Sequence, residues 1–463
     1  MRINLFKLIF VSFAGIILGS LIAIKGFIGF LVLFGGIVFL IFSWFIFKEP
    51  SLGLILMAFF LPFERIGGYR GLGINIRISQ IIFLITLLAW LLKNILIKKE
   101  KIKWPFPNTL FSLFLGVNFL SLINSGDLKR STLVFSFLLF SFALYFLIIN
   151  LIKKEVLSKI LSSIFLSASF VSLFGFFQFF GDILGLPDSI TFLLPRYSKE
   201  VLGFPRVQST ALEPLYFANY LLIPLTLALV LLLSKNLKFK YSFLFSTVFL
   251  TLSSLILTFS KGGIIAFLII TIFLLFFYFR SFFTRKNFYF ICLICCLIFL
   301  TLIVFASTAG IFSNFEKIYS RTIKIITGAT LIERAKAYEI AFEGFFQSPL
   351  IGIGLGTFGP YFTSWGPIPE KGWPIVNNEY LEILCETGIL GLILFLSFIG
   401  SVLIRSFLAF KICKEEFLKT VLLGLTLAFI GILVQYFTFS TLYIFHIWFL
   451  IGLLVGIQEK ILA

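Results

Sequence analysis

Polar side chains crowd one short stretch of this chain. Asn377, Asn378, Glu379, Glu382 and Glu386 fall in VNNEYLEILCETGILGL, which then runs on into an unbroken apolar segment. The glutamates are spaced three and four apart, so they share one face of a helix. The asparagines stand just before that helix, where Asn caps well. A cap needs one polar residue, so the excess points to a face turned toward an aqueous cavity. There, carboxylates move protons and amides orient hydroxyl or phosphate oxygens.

Other charges lie at similar places. RVQSTALEPLYFANYL brings Arg206 and Glu213 to the start of an apolar helix. Charges at a membrane lip are costly and usually functional. The plainer alternatives are an arginine snorkelling to lipid phosphate and a glutamate favouring the helix N-terminus. FSKGG puts Lys261 in a close turn permitted by glycine, either as a site cation or as an interface anchor. From Leu331 to Phe346, Ala337, Ile340, Ala341 and Phe345 alternate at helical spacing with Glu333, Lys336 and Glu343. That pattern predicts an amphipathic helix on the outer membrane surface. Arg321 and Arg334 flank it, available to an anion. GIGLG at Gly352–Gly356 follows a helix rather than a strand, so it is no dinucleotide fingerprint. It suits a tight backbone passage with amides near an anion.

No metal or cofactor is expected. The aspartates Asp127, Asp182 and Asp188 form no Asp-x-Asp pair, and the single histidine, His446, reads as a satisfied interior residue in mid-span. Cys292, Cys295, Cys296, Cys385 and Cys413 do not converge in the pattern of a metal site or a disulfide framework and read as small packing residues.

The elements that position these residues are membrane helices. Hydrophobic residues make up 60% of the chain and charged residues 13%, about half what a soluble surface needs. Mean hydropathy is +1.11. Apolar runs cover about 5–24, 27–47, 51–63, 79–97, 108–124, 131–152, 156–181, 212–233, 242–259, 263–279, 288–308, 380–404, 418–438 and 441–457. With all fourteen spanning, loops holding Lys93–Lys103, Lys153–Lys159, Lys235–Lys240, Arg280–Lys286 and Arg405–Lys419 fall on one side with both termini. The positive-inside rule makes that side cytoplasmic. Leu5–Ile24 is then a retained span rather than a cleaved signal peptide. The net charge of +18 reflects these loops rather than one basic face, so no nucleic-acid partner is expected. The expected fold is an all-α polytopic membrane protein of about 12–14 transmembrane helices, one membrane domain over 1–463. Its extracytoplasmic loops are 182–211 and 309–379, the longer carrying amphipathic helices.

NNEYLEILCETGILGL resembles the O-antigen ligase and O-antigen polymerase signature, roughly H-N-x-Y-L-x-x-L-x-E-x-G-x-x-G-L. The stretch Arg206–Tyr220, the FSKGG turn and SPLIGIGLGTF are similar, in order, to other segments of that superfamily. The resemblance spans Arg206–Leu392. It implies an inverting membrane glycosyltransferase of the bacterial inner membrane, acting on its extracytoplasmic face. Its partners would be an undecaprenyl pyrophosphate-linked oligosaccharide, a glycan or lipid-linked acceptor, and membrane lipid. Cations must hold a leaving pyrophosphate, and Arg206, Lys261, Arg321 and Arg334 are candidates. The acceptor hydroxyl must be oriented and deprotonated, which places Asn377, Asn378, Glu213, Glu379 and Glu382 as catalytic candidates. The reaction is expected to be metal-free.

Two positions depart from the family pattern. Asn377 replaces the signature histidine and Lys261 an arginine. Asparagine is no base near neutral pH, so proton removal falls to Glu213, Glu379 or Glu382, or needs little help. This favours a repeat-unit polymerase over a ligase acting on lipid A core. A lipid-linked oligosaccharide flippase predicts charges deep in several spans and inverted repeats. Here the charges gather in loops. A non-catalytic member is the third reading.

Overall fold

Backbone polar groups in hydrocarbon must be satisfied internally, so long apolar segments form helices. The structure, a computed structural model, describes residues 35–65, 69–71, 74–194, 201, 204–234, 238–282, 329–367, 372–440 and 442–462. Twelve apolar helices occur among them. They are α1 (Gly35–Lys48), α2 (Ser51–Phe60), α3 (Ile78–Ile97), α4 (Phe106–Asn124), α5 (Leu128–Leu151), α6 (Lys154–Ile183), α7 (Pro214–Leu233), α8 (Tyr241–Leu257) and α9 (Lys261–Phe282). After two cap helices, α10 (Ala329–Gln347) and α11 (Phe358–Phe362), come α12 (Glu379–Ile412), α13 (Glu416–Gln435) and α14 (Phe445–Leu462). Nine of the twelve are long and apolar enough to cross a membrane; α1, α2 and α8 are shorter. Each matches one expected run. The expected runs 5–24 and 288–308 lie outside the described residues.

Two helices form the centre. Every residue of α7 from Phe217 to Leu233 is buried, and so is every residue of α14 from Phe445 to Gln458. A helix apolar all round belongs in the interior. α7 packs on α8, α9 and α13, and α14 on α5, α12 and α13. On the periphery, Leu84, Leu88, Phe170, Leu173, Leu268, Ile272, Ile393 and Leu396 are exposed, as a lipid-covered surface requires.

The basic loops meet at one end of the bundle. Lys153 pairs with Glu49, Lys154 with Glu415 and Arg405 with Glu459, while the Lys103 amide donates to Asn150 Oδ1 at 2.7 Å. Helix alternation puts the starts of α3, α5, α7, α9, α12 and α14 at the other end, with the sequence-selected polar residues.

Three local features differ from expectation. A short antiparallel ribbon, β1 (Tyr69–Gly71) and β2 (Ile74–Ile76), joins α2 to α3. The amphipathic helix α10 does not spend its Ala337–Ala341 face on membrane. Those residues pack with Ile353, Phe358, Val376 and Cys385 in a small core of their own, because α10 lies against the start of α12. Finally, α12 is broken at Gly388 (φ 67°, ψ −168°). The 24 residues that follow are long enough alone to span a ~30 Å hydrocarbon core, leaving Glu379–Thr387 as a separate short helix at its mouth.

Candidate active site

The glycine-rich segment is built onto that break. Ile353 N–H donates to Cys385 O at 3.0 Å and Gly354 N–H to Glu386 O at 3.1 Å. Beyond Gly388, Ile389 N–H donates to Pro349 O at 2.9 Å, so the loop replaces the missing helical acceptor. A Cβ on Gly352 would strike the Glu386 backbone, and one on Gly388 the Leu350 backbone. Glu386, 5% exposed, accepts Gly356 N–H at 2.7 Å and Phe358 N–H at 3.0 Å. The place expected for an anion near GIGLG is thus taken by this carboxyl. Glu386 is spent on holding the loop and does not face an open cavity.

The neighbouring polar residues divide their tasks. Asn378 is the cap: its Oδ1 accepts Tyr380 N–H at 3.1 Å and Leu381 N–H at 3.2 Å. Asn377 does not cap. It sits in the left-handed region (φ 59°), half-exposed, with its amide donating to Ile375 O at 3.3 Å. Asn and His are among the residues that best tolerate this conformation. Glu379 is buried, and its amide donates to Tyr436 O at 2.8 Å. Glu382 accepts Val376 N–H at 3.1 Å and also meets the Ser440 hydroxyl. Ser440 Oγ in turn accepts Asn378 N–H at 2.8 Å. The expected polar face therefore packs on the turn that follows α13.

That turn also carries the other half of the site. A Cβ on Gly262 would run into Thr438, so the Lys261 turn is seated directly on it. Lys261 itself is exposed. Arg206 Nε donates to Thr258 O at 3.1 Å, at the C-terminus of α8, three residues before Lys261. The arginine thus meets a helix-end carbonyl, where a cation is favoured. Glu213 is the N-cap position of α7, yet its side chain makes no cap bond. Burial pushes its carboxyl up, the Arg206 charge opposes this, and Glu64 adds to the rise. Burial likewise lowers Arg206, with Glu213 opposing. Glu64, 3% exposed, pairs with Arg77 at 3.3 Å.

His446 stands at the start of α14 and not in mid-span. It is buried, as expected, with Nε2 at 2.7 Å from Asn219 Oδ1. Asn219 Nδ2 donates to Gln435 Oε1 at 2.8 Å. This chain ties α7 and α14 to the end of α13, so it fixes the Glu213 side relative to the Ser440 side.

Arg206, Glu213, Lys261, Asn377, Asn378, Glu379 and Glu382 therefore gather at one end of the bundle, around residues 435–440. Arg334 is placed on α10, one turn before Ala337 and Tyr338, which belong to the cap core. Arg321 lies outside the described residues. The sequence reading missed Arg130. Its Nε donates to Gly356 O at 2.6 Å, its guanidinium lies 5.4 Å from the Trp373 ring centroid, and its charge acts on Glu382 and Glu386. One signal was available: Lys129 and Arg130 stand at the end of the bundle where the positive-inside pattern has few cations. Glu64 and Arg77 were missed because the ribbon that joins them was not foreseen.

Residues 246–396 match the family model described as O-antigen ligase. This stretch is similar to the O-antigen ligase family. No curated protein matches the chain. The matched segment begins in α8 and ends in α12, so it includes the Lys261 turn, α10, the glycine-rich loop and the Asn377–Glu386 segment. Arg206, Glu213 and Arg130 precede it. The chain is thus a multi-pass membrane protein, part of which is similar to the O-antigen ligase family.

Chemically, this end of the bundle offers cations for an anionic group and carboxylates for a proton. Among the described residues, no three His, Cys, Asp or Glu side chains converge as a metal site.

Proposed function

We propose that the protein transfers a glycan from an undecaprenyl pyrophosphate carrier to a sugar hydroxyl on the extracytoplasmic face of the bacterial inner membrane. The polymer it extends is a surface polysaccharide, with a second lipid-linked repeat as acceptor. The observation that carries this reading is that Arg206 on Thr258 O, the Lys261 turn on Thr438, Glu382 on Ser440 and the neighbouring Asn377 lie at one end of the bundle.

In this mechanism Arg206 and Lys261 hold the pyrophosphate, and charge building on the leaving oxygens is met by cations already in place. Arg334, on α10, and Arg321 serve the same anion. Asn377 orients a donor or acceptor oxygen with its half-exposed amide. Glu382 or Glu213 takes the hydroxyl proton, and inversion follows from direct displacement. Glu213 suits this role because its raised pKa brings it closer to the working pH. Asn378 and Glu379 hold the mouth of α12 in place. The step is proposed to run without metal, because Asp127, Asp182 and Asp188 form no Asp-x-Asp pair.

Purified protein given a lipid-linked repeat and, separately, lipid A core as acceptor tests the choice between polymerase and ligase. Ladder formation with the repeat alone is expected. Transfer to lipid A core with no ladder would make the protein a ligase.

A further inference from the structure

Trp365 is 51% exposed, although its ring lies so close on Gly126 that a Cβ there would collide with it. Both Ser364 (φ 51°) and Trp365 (φ 61°) occupy the left-handed region, which is costly for an aromatic residue. The Trp365 amide donates to Pro360 O at 2.8 Å, which fixes the ring beside α11. One helical turn after Gly126 comes Arg130, over Trp373. Trp373 packs on Gly359, also in α11. Two tryptophans therefore straddle the start of α5, with Arg130 between them and Glu382 within reach of its charge.

We propose that Trp365, Arg130 and Trp373 form a carbohydrate subsite that holds a sugar ring of the glycan beside the reacting one. This rests on the transferase reading above. An indole with the outer edge of its six-membered ring set against glycine and half of the residue exposed offers a flat apolar platform. A hexose presents the complementary surface, an apolar C–H face rimmed by hydroxyls. Arg130 and Asp127 supply donors and acceptors for those hydroxyls at the rim. A packing role does not explain the arrangement, because strain is spent while half of the ring stays in solvent. Interfacial anchoring is the competing role for an exposed tryptophan, and lipid quenching separates the two.

The test uses full-length protein in nanodiscs and the oligosaccharide released by mild acid from the host's polyprenyl pyrophosphate-linked pool. This probe has neither lipid nor pyrophosphate, so binding is read independently of transfer. Trp365→Ala should weaken binding about three- to tenfold, and Trp365→Phe should restore most of it. Gly126→Ala, which pushes the ring aside, should act like Trp365→Ala while Arg206→Ala binds the oligosaccharide normally. In transfer assays with the Ala variant, a raised KM for the lipid-linked donor assigns the subsite to the donor glycan, and a raised KM for the acceptor assigns it to the acceptor. Unchanged oligosaccharide binding in Trp365→Ala would overturn the proposal. So would brominated phosphatidylcholine quenching wild-type fluorescence more than that of Trp365→Phe, since the ring would then lie in lipid. Absence of transfer by the wild-type protein with every lipid-linked donor, while it still binds the oligosaccharide, would instead sink the transferase reading and leave the sugar subsite standing.

Discussion

Glu386 accepts the Gly356 amide at 2.7 Å, and Arg130 takes the carbonyl of the same glycine at 2.6 Å. Gly356 is thereby held between a carboxyl on the membrane helix and a guanidinium on α5. This relationship gives physical meaning to two signature segments: the glutamate of one binds the amides of the other, and Gly388 breaks the helix so the loop can lie against it.

Removing the lock should destabilise the fold. Glu386→Ala leaves two buried amides without an acceptor and should cost about 2–4 kcal/mol, read as a lower thermal unfolding midpoint in detergent. Gly388→Ala forces a side chain into a glycine-only conformation and into the Leu350 backbone, a penalty of at least about 1–3 kcal/mol. Unchanged midpoints would mean that the loop is held elsewhere.

Asn377 can now be separated from capping, which Asn378 performs. Asn377→Gly keeps the left-handed backbone and removes the amide. It should retain thermal stability and lose about 10²-fold in transfer rate. Asn377→His should keep or raise activity, since His tolerates the same backbone and adds a base. Wild-type rates in the glycine variant would remove this side chain from the chemistry.

Glu213 should show itself in pH dependence. Its folded pKa is raised, so its ionised form is disfavoured by the fold. Its contribution to stability is complete below the unfolded pKa and is lost as pH rises through the folded pKa. Glu213→Gln should therefore be at least as heat-stable as wild type at neutral pH. If Glu213 is the base, the rate of the wild type rises with pH above the ordinary carboxylate range, and Glu213→Gln removes that limb. An unchanged pH–rate profile in the variant would leave Glu382 as the base.

Much of the fold was legible because membrane helices announce themselves by length and apolarity. Every expected run that falls on described residues is a helix. The site was legible in part, through the Asn377–Glu382 cluster and the charges at helix lips. What escaped were tertiary facts. Spacing showed three glutamates on one face but not that Glu386 is consumed by two loop amides. Neither the Gly262–Thr438 contact nor the Arg130–Gly356 bond leaves a local trace. The hydrophobic face of α10 read as membrane-bound because periodicity cannot tell lipid from a protein core.

The sidedness proposal needs exposed positions. Ser260 and Val376 are buried, so cysteines belong at Lys261 and Ile375 at the site end and at Lys101 and Lys414 at the basic end. In a cysteine-free background, impermeant maleimide on spheroplasts should label the first pair only. Labelling confined to the second pair would invert the orientation.

The most direct test of the central claim is transfer by Arg206 variants. Arg206 meets a carbonyl at the end of α8 while its charge faces Glu213. Arg206→Lys keeps a cation there but loses the planar fork that grips phosphate oxygens, so its thermal stability should stay near wild type. Extension of a lipid-linked repeat should fall at least about 10²-fold in Arg206→Ala, with little recovery in Arg206→Lys. A normal ladder made by well-folded Arg206→Ala would contradict the assignment of this mouth as the pyrophosphate site.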